Sequence, residues 1–182
     1  MSRPQPPKPA KLVVGVLLQD RTLVEALVDA LQRLFGSTDF ISRWMPFNYT
    51  RYYEAEMGAP LSRRMLSFGP LIEQASLARV KRMTNAVEKM WMHDGKRRVN
   101  LDPGCLLLER FVLATGKNYS HRIYVGEGIY ADLTLIFRSG AFQPLPWTYP
   151  DYADDGIRSF LLKVRRKYQL DLAHEPQRSK LC

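Results

Sequence analysis

Cysteine, histidine and long apolar runs are all scarce in this chain of 182 residues, and each shortage narrows what it can do. There are two cysteines, Cys105 and Cys182, and the second is the last residue, so no structural disulfide is expected and a reducing compartment fits. The three histidines, His93, His121 and His174, are scattered and far from the cysteines, which excludes zinc-ligand spacing. No stretch approaches the roughly 18 apolar residues that span a bilayer. Residues 1–11 are basic like a signal peptide start, but the apolar run at 12–18 is short, contains Gly15 and ends in Gln19-Asp20 without a small-residue cleavage site. The expected location is cytoplasmic. Dinucleotide-type G-x-G-x-x-G is missing. Gly116-Lys117 invites a phosphate-loop reading that fails, because Phe111 stands where that motif needs glycine and Asn118 where it needs Ser or Thr.

What is present is the composition of a folded, basic protein. At 46% hydrophobic and 25% charged, the chain is neither disordered nor fibrous. Lys and Arg number 27 against 18 Asp and Glu, a net charge of +9 that favours anionic partners such as phosphorylated metabolites or nucleic acid. The same charge is also compatible with a merely basic, soluble surface.

Residues 1–10 form a Pro-rich lead-in expected to lack fixed structure, and 171–182 a tail of the same kind, leaving one α+β domain over 11–170. The run 12–18 is apolar on both faces and reads as a buried strand. A helix follows, with Asp20 or Thr22 as its cap, Thr22 and Glu25 at capping-box spacing, an apolar stripe of Leu23, Leu27, Leu31, Leu34 and Phe35, and Gly36 as its stop. Strands are predicted over 40–47, 64–68 and 98–101, a helix over 70–91, and a turn at Asp102-Pro103-Gly104. Strands at 106–115, 119–125, 129–137 and 141–145 and a helix over 153–168 complete the chain. The expected fold is a mixed, largely antiparallel sheet with a ferredoxin-like β-α-β start, a C-terminal β-meander and a closing helix.

The hairpin over 119–137 is the most informative stretch. With Gly126-Glu127-Gly128 as a three-residue loop, Arg122 meets Asp132, Ile123 meets Ala131 and Tyr124 meets Tyr130. One face is then apolar (Ile123, Val125, Ile129, Ala131, Leu133, Leu135), while the other collects Ser120, Arg122, Tyr124, Tyr130, Asp132 and Thr134. This alternation sends His121 to the apolar face, opposite Leu133. Arg122 and Asp132 read either as a cross-strand ion pair or as part of an anion site in which Arg122, Tyr124 and Tyr130 offer a guanidinium fork and two hydroxyls.

Elsewhere, Asp102 is either the first residue of a turn or a carboxylate at a strand end beside His121 or Lys117. Cys105 reads as a small buried side chain rather than a nucleophile. Residues 144–152 (PLPWTYPDY) hold three prolines, which fix the outlook of Trp147, Tyr149 and Tyr152. They form a strap over the sheet edge or a stacking wall for a base or sugar. A carboxylate metal site from Asp102, Asp132 and Asp151 is compatible with the sequence, but no spacing demands it. In the last helix, acids at the start and bases at the end follow the helix dipole.

The runs VNLDPG (99–104), SHRIYVGEGIYADLTL (120–135) and PWTYPDY (146–152), with KLVVGVLL near the start, resemble the bacterial domain-of-unknown-function family 4416. The likeness extends from Lys11 to about Tyr168. Members are often labelled GTP-binding; the missing phosphate loop gives that label no support here. Cys105 departs from the aromatic residue that the family pattern implies after LDPG. The expectation is a site for a phosphorylated or nucleotide-like anion on the polar face of the hairpin. Lys117, Arg122, Tyr124, Tyr130, Asp132, Trp147, Tyr149 and Asp151 line it, with Asp102 or His121 transferring protons if the protein is an enzyme. The rival readings are an RNA- or DNA-binding module and a non-catalytic adaptor.

Overall fold

In the computed structural model, which describes residues 3–174, the apolar run near the start becomes the centre of the sheet, buried at every position. The elements in chain order are β1 (Ala10–Leu18), α1 (Val24–Phe35), β2 (Thr38–Ile41), β3 (Met45–Phe47), α2 (Glu54–Met57), β4 (Leu61–Ile72), α3 (Leu77–Met90), β5 (Val99–Leu106), β6 (Arg110–Thr115), β7 (Arg122–Gly126), β8 (Ile129–Arg138), β9 (Ala141–Pro144) and α4 (Asp155–His174). Among the described residues these make one nine-stranded sheet ordered β2-β4-β1-β5-β6-β8-β7, with β3 beside β4 and β9 beside β8.

Every neighbouring pair is antiparallel. Strands β1 and β2 therefore run parallel with β4 between them, and β4 and β5 run parallel with β1 between them. Two split β-α-β units interleaved in this way give the ferredoxin-like start, and β6 to β9 extend it as a meander. The fold is α+β, as the residue pattern predicts. The two parts join at a narrow seam, where β5 and β6 pair only at Gly104–Leu113, Cys105–Val112 and Leu106–Phe111.

Alternation along β1 assigns the two faces. Leu12, Val14, Val16 and Leu18 pack with Leu27, Leu31 and Phe35 of α1 and Val80 and Val87 of α3. On the opposite face, Val13 and Met65 pack with Ile157, Phe160, Leu161, Val164 and Tyr168 of α4. Beyond the reach of α4, Leu17 packs with Phe47, Met57 and Leu61. Lys11, wholly buried, ties this face together: Nζ donates to Gly69 O at 2.9 Å and pairs with Asp39 and Asp171 at 2.7 and 2.6 Å. No helix among the described residues is long and apolar enough to cross a membrane.

Several boundaries differ from those read in the sequence. The stretch 70–72 continues β4 instead of opening a helix, and α3 starts at Leu77 after a 3-10 turn. Of the two caps the sequence offers, Asp20 serves the first helical turn by accepting from Thr22 N. Asp102-Pro103-Gly104 lies inside β5, paired with β1 along its whole length, rather than in a turn. Proline is tolerated there because β6 has not yet begun to pair, so one edge of β5 is already free. Residues 107–109 interrupt the expected strand at 106–115. Ala10 belongs to β1 and α4 continues to His174, so the lead-in and tail are each shorter than expected; residues 175–182, including Cys182, lie outside the described residues.

Candidate functional site

The hairpin forms in the predicted register: Arg122 opposes Asp132, Ile123 opposes Ala131, and Tyr124 opposes Tyr130. Its loop is one residue tighter than predicted. Gly126 pairs with Ile129, so Val125 is bulged and Glu127-Gly128 alone make the turn, both with positive φ (54° and 75°). Because β7 is the outermost strand, the apolar face of the hairpin is only partly covered, and Ile123 is 72% exposed.

Pairing carries the polar row inward. Arg122, Asp132, Leu113 and Gly104 lie opposite one another across four strands, and Asp102, two residues from Gly104, shares their face. Two polar hubs occupy this face.

The first hub centres on Asp132, which is 2% exposed. Its Oδ2 accepts from Arg122 Nε at 2.9 Å and lies 3.2 Å from His121 Nε2. His121 is thus on the polar face, contrary to the alternation read from sequence. The ladder begins only at Arg122, and a turn closed by Arg122 N donating to Tyr119 O swings His121 over Asp132. A carboxylate there draws the ring proton to Nε2 and leaves Nδ1 as an acceptor. The ring stacks on Trp147, with centroids 5.0 Å apart and planes 13° apart, and Tyr119 meets it edge-on. Arg122 donates from Nη1 to Lys117 O at 2.9 Å and from Nη2 to Tyr149 Oη at 2.8 Å. Its guanidinium is therefore committed on all three nitrogens and is not the free anion fork expected from sequence.

The second hub centres on Arg63, which sequence reasoning passed over. Its Nη1 donates to Asp102 Oδ2 at 2.7 Å and its Nη2 to Asp151 Oδ2 at 2.6 Å. The guanidinium lies over the rings of Phe47 and Tyr152. Asn100 donates to the other oxygen of Asp102, and Arg97 connects Asn100 to Glu56. Burial opposes the charge on Asp102, but Arg63, Lys81 and Asn100 outweigh it and hold the carboxyl below the usual aspartate range. For Asp151 burial wins, lifting the carboxyl above that range despite Arg63. Asp102 is thus an ionised anchor rather than a proton donor. The Cys105 thiol is buried and pushed up to about 12 by desolvation. Among the described residues no group of three or more His, Cys, Asp or Glu is placed to hold a metal ion, and Arg63 itself stands between Asp102 and Asp151.

The strap over 145–152 grips both hubs, Tyr149 at Arg122 and Asp151 at Arg63. It is also pinned to β8 where neither β7 nor β9 pairs: Trp147 Nε1 donates to Leu133 O at 2.8 Å and Thr148 Oγ1 to Thr134 O at 2.5 Å. Trp147 is accordingly a half-open ring over His121. Around this frame, Tyr52, Tyr119, Tyr124, Trp147 and Tyr149 remain between 39% and 66% exposed. Tyr130 leans on Tyr124 and is half-buried. Lys117 lies 4.5 Å above the Tyr52 ring, and its Nζ donates to Tyr52 Oη at 3.1 Å, which lowers that phenol's pKa. Lys117 is exposed. Tyr52 lies in the polar-aromatic connection at 48–61, whose proximity to the hairpin has no signal in local sequence patterns.

The family model described as domain of unknown function (DUF4416) matches residues 8–168. No curated protein and no solved structure matches the chain.

Proposed function

The chain belongs to the domain of unknown function (DUF4416) family, and we propose that it binds a nucleotide-like anion on the aromatic face around Arg122. The observation that carries this reading is the ring of exposed Tyr52, Tyr119, Tyr124, Trp147 and Tyr149 about one ordered cationic centre. Flat π-surfaces suit a base, and Lys117, which has no carboxylate partner among the described residues, suits a phosphate. Arg122 has a different part from the one its type suggests: it holds the Lys117 loop, the hairpin and the strap in one geometry and contacts the ligand little. Lowered conformational freedom in the free protein favours binding.

The reading is one of binding. His121 and Asp132 have the arrangement of a base and its orienting carboxylate, yet among the described residues no hydroxyl or thiol is hydrogen-bonded to His121. The test is a thermal-shift series at low salt with nucleoside monophosphates, nucleoside triphosphates, ribose 5-phosphate and inorganic phosphate. Base-bearing anions should raise the melting temperature most, and Lys117→Ala should abolish the rise. Equal shifts from ribose 5-phosphate, or none from any nucleotide, would overturn the reading.

A further inference from the structure

We infer that the ligand of this face is a single-stranded nucleic acid, engaged over several consecutive nucleotides, rather than a free mononucleotide. The inference rests on the reading above and narrows it. One nucleotide carries one base, which occupies one ring or is sandwiched between two, whereas five rings stand open here. They come from four separate segments: Tyr52 from the connection before α2, Tyr119 from the β6–β7 loop, Tyr124 from β7, and Trp147 and Tyr149 from the strap. Contacts join four of them into one surface, and Tyr124 stands two residues from Arg122 on the same face of β7. Tyr52 meets Lys117, whose carbonyl accepts from Arg122; Arg122 reaches Tyr149, and Asp132 leads through His121 to Trp147 and Tyr119.

Charge points the same way. The exposed cation fixed on this surface, Lys117, is a point charge on a flexible stem, suited to a backbone phosphate. Neither of two concavities elsewhere serves a nucleotide. The cavity beside Arg63 and Asp151 measures about 10 Å³, room for one water, and an open groove of about 350 Å³ lies between α1 and β2, with Glu25 and Asp29 on its wall. The aromatic face, by contrast, combines outward rings with a cation, the combination that accepts unpaired bases regardless of their identity. Base-paired nucleic acid hides its base faces, so a duplex cannot use the rings.

The experiment is fluorescence anisotropy of the full chain with labelled oligouridylate and oligothymidylate. UMP, a dinucleotide, a tetranucleotide, an octanucleotide and a blunt duplex serve as competitors. Affinity is expected to climb with length by about tenfold per added stacked base before levelling off. Tyr52→Leu and Tyr124→Leu should each weaken the octanucleotide by about tenfold while leaving circular dichroism unchanged. If UMP competes as well as the octanucleotide, or the duplex as well as the single strand, the inference is overturned while nucleotide binding stands. If neither UMP nor any oligonucleotide binds, both fall, and the face is left to a protein partner.

Discussion

Arg122 and Asp132 face each other across β7 and β8, with Nε 2.9 Å from Oδ2 and the two side chains 7% and 3% exposed. A pair so placed differs from the surface ion pairs that contribute little. Its carboxylate has almost no water to fall back on, and its guanidinium is the junction through which the Lys117 loop and the strap are held.

Removing either partner should therefore destabilise strongly. Arg122→Ala takes the guanidinium away from a buried carboxylate and should cost about 3–5 kcal/mol in urea unfolding. A loss under about 1 kcal/mol, the size typical of an exposed pair, would show that Asp132 is well solvated.

Lys117→Ala makes the opposite split. The side chain is exposed and, among the described residues, hydrogen-bonded to Tyr52 alone, so stability should change by less than about 0.5 kcal/mol. Nucleotide-induced thermal shifts should disappear in the same variant.

Gly15 lies under the second hub. A Cβ there would come within 2.6 Å of Tyr152 Oη and 2.9 Å of Arg63 Nη1, so Gly15→Ala should cost about 1–3 kcal/mol through overpacking. Gly116→Ala, where a Cβ meets nothing within 4 Å, is the control and should melt at or above the wild-type temperature.

The two aspartates on Arg63 act on stability in opposite directions as pH changes. Asp102, like Glu56 beside Arg97, has a depressed carboxyl; its stabilisation is complete above its unfolded value of about 3.9 and fades as pH falls through the lower folded value. Asp151 and Glu88 have raised carboxyls, so the folded state takes up their protons first and gains stability as pH falls from neutral towards about 4. Urea midpoints should hold or rise down to about pH 4–5 and then collapse. In Asp151→Asn the gain on mild acidification should shrink; an undiminished gain would assign it elsewhere.

Cys105 offers a simple check on the core. Its buried thiol, pushed up to about 12, should resist iodoacetamide in a folded Cys182→Ser chain and react fully in denaturant.

The hairpin pairing was legible because polar and apolar residues alternate on two strands facing one short turn, and only one register keeps the faces apart. The same rule misplaced His121, since alternation holds only inside a ladder and the ladder starts one residue later. Asp102-Pro103-Gly104 has the local chemistry of a turn, overridden by eight residues of pairing with β1. Arg63 was hidden by its neighbour. In the run at 61–68 two adjacent arginines look like a solvated edge, but alternation sends Arg64 over Trp44 and Arg63 into the interior. Two aspartates, 39 and 88 residues distant in sequence, are what make that interior tolerable, and no local pattern announces them.

The strap that grips both hubs follows every strand of the sheet in the chain. During synthesis, the ferredoxin-like part and the meander come together at the three-residue backbone seam between β5 and β6 and in a shared side-chain core. Until Tyr149 and Asp151 have emerged, Arg122 lacks its phenol and Arg63 its second carboxylate. The aromatic face is thus completed by residues made after the sheet, and a chain ending before Tyr149 would contain every strand yet present an unassembled surface.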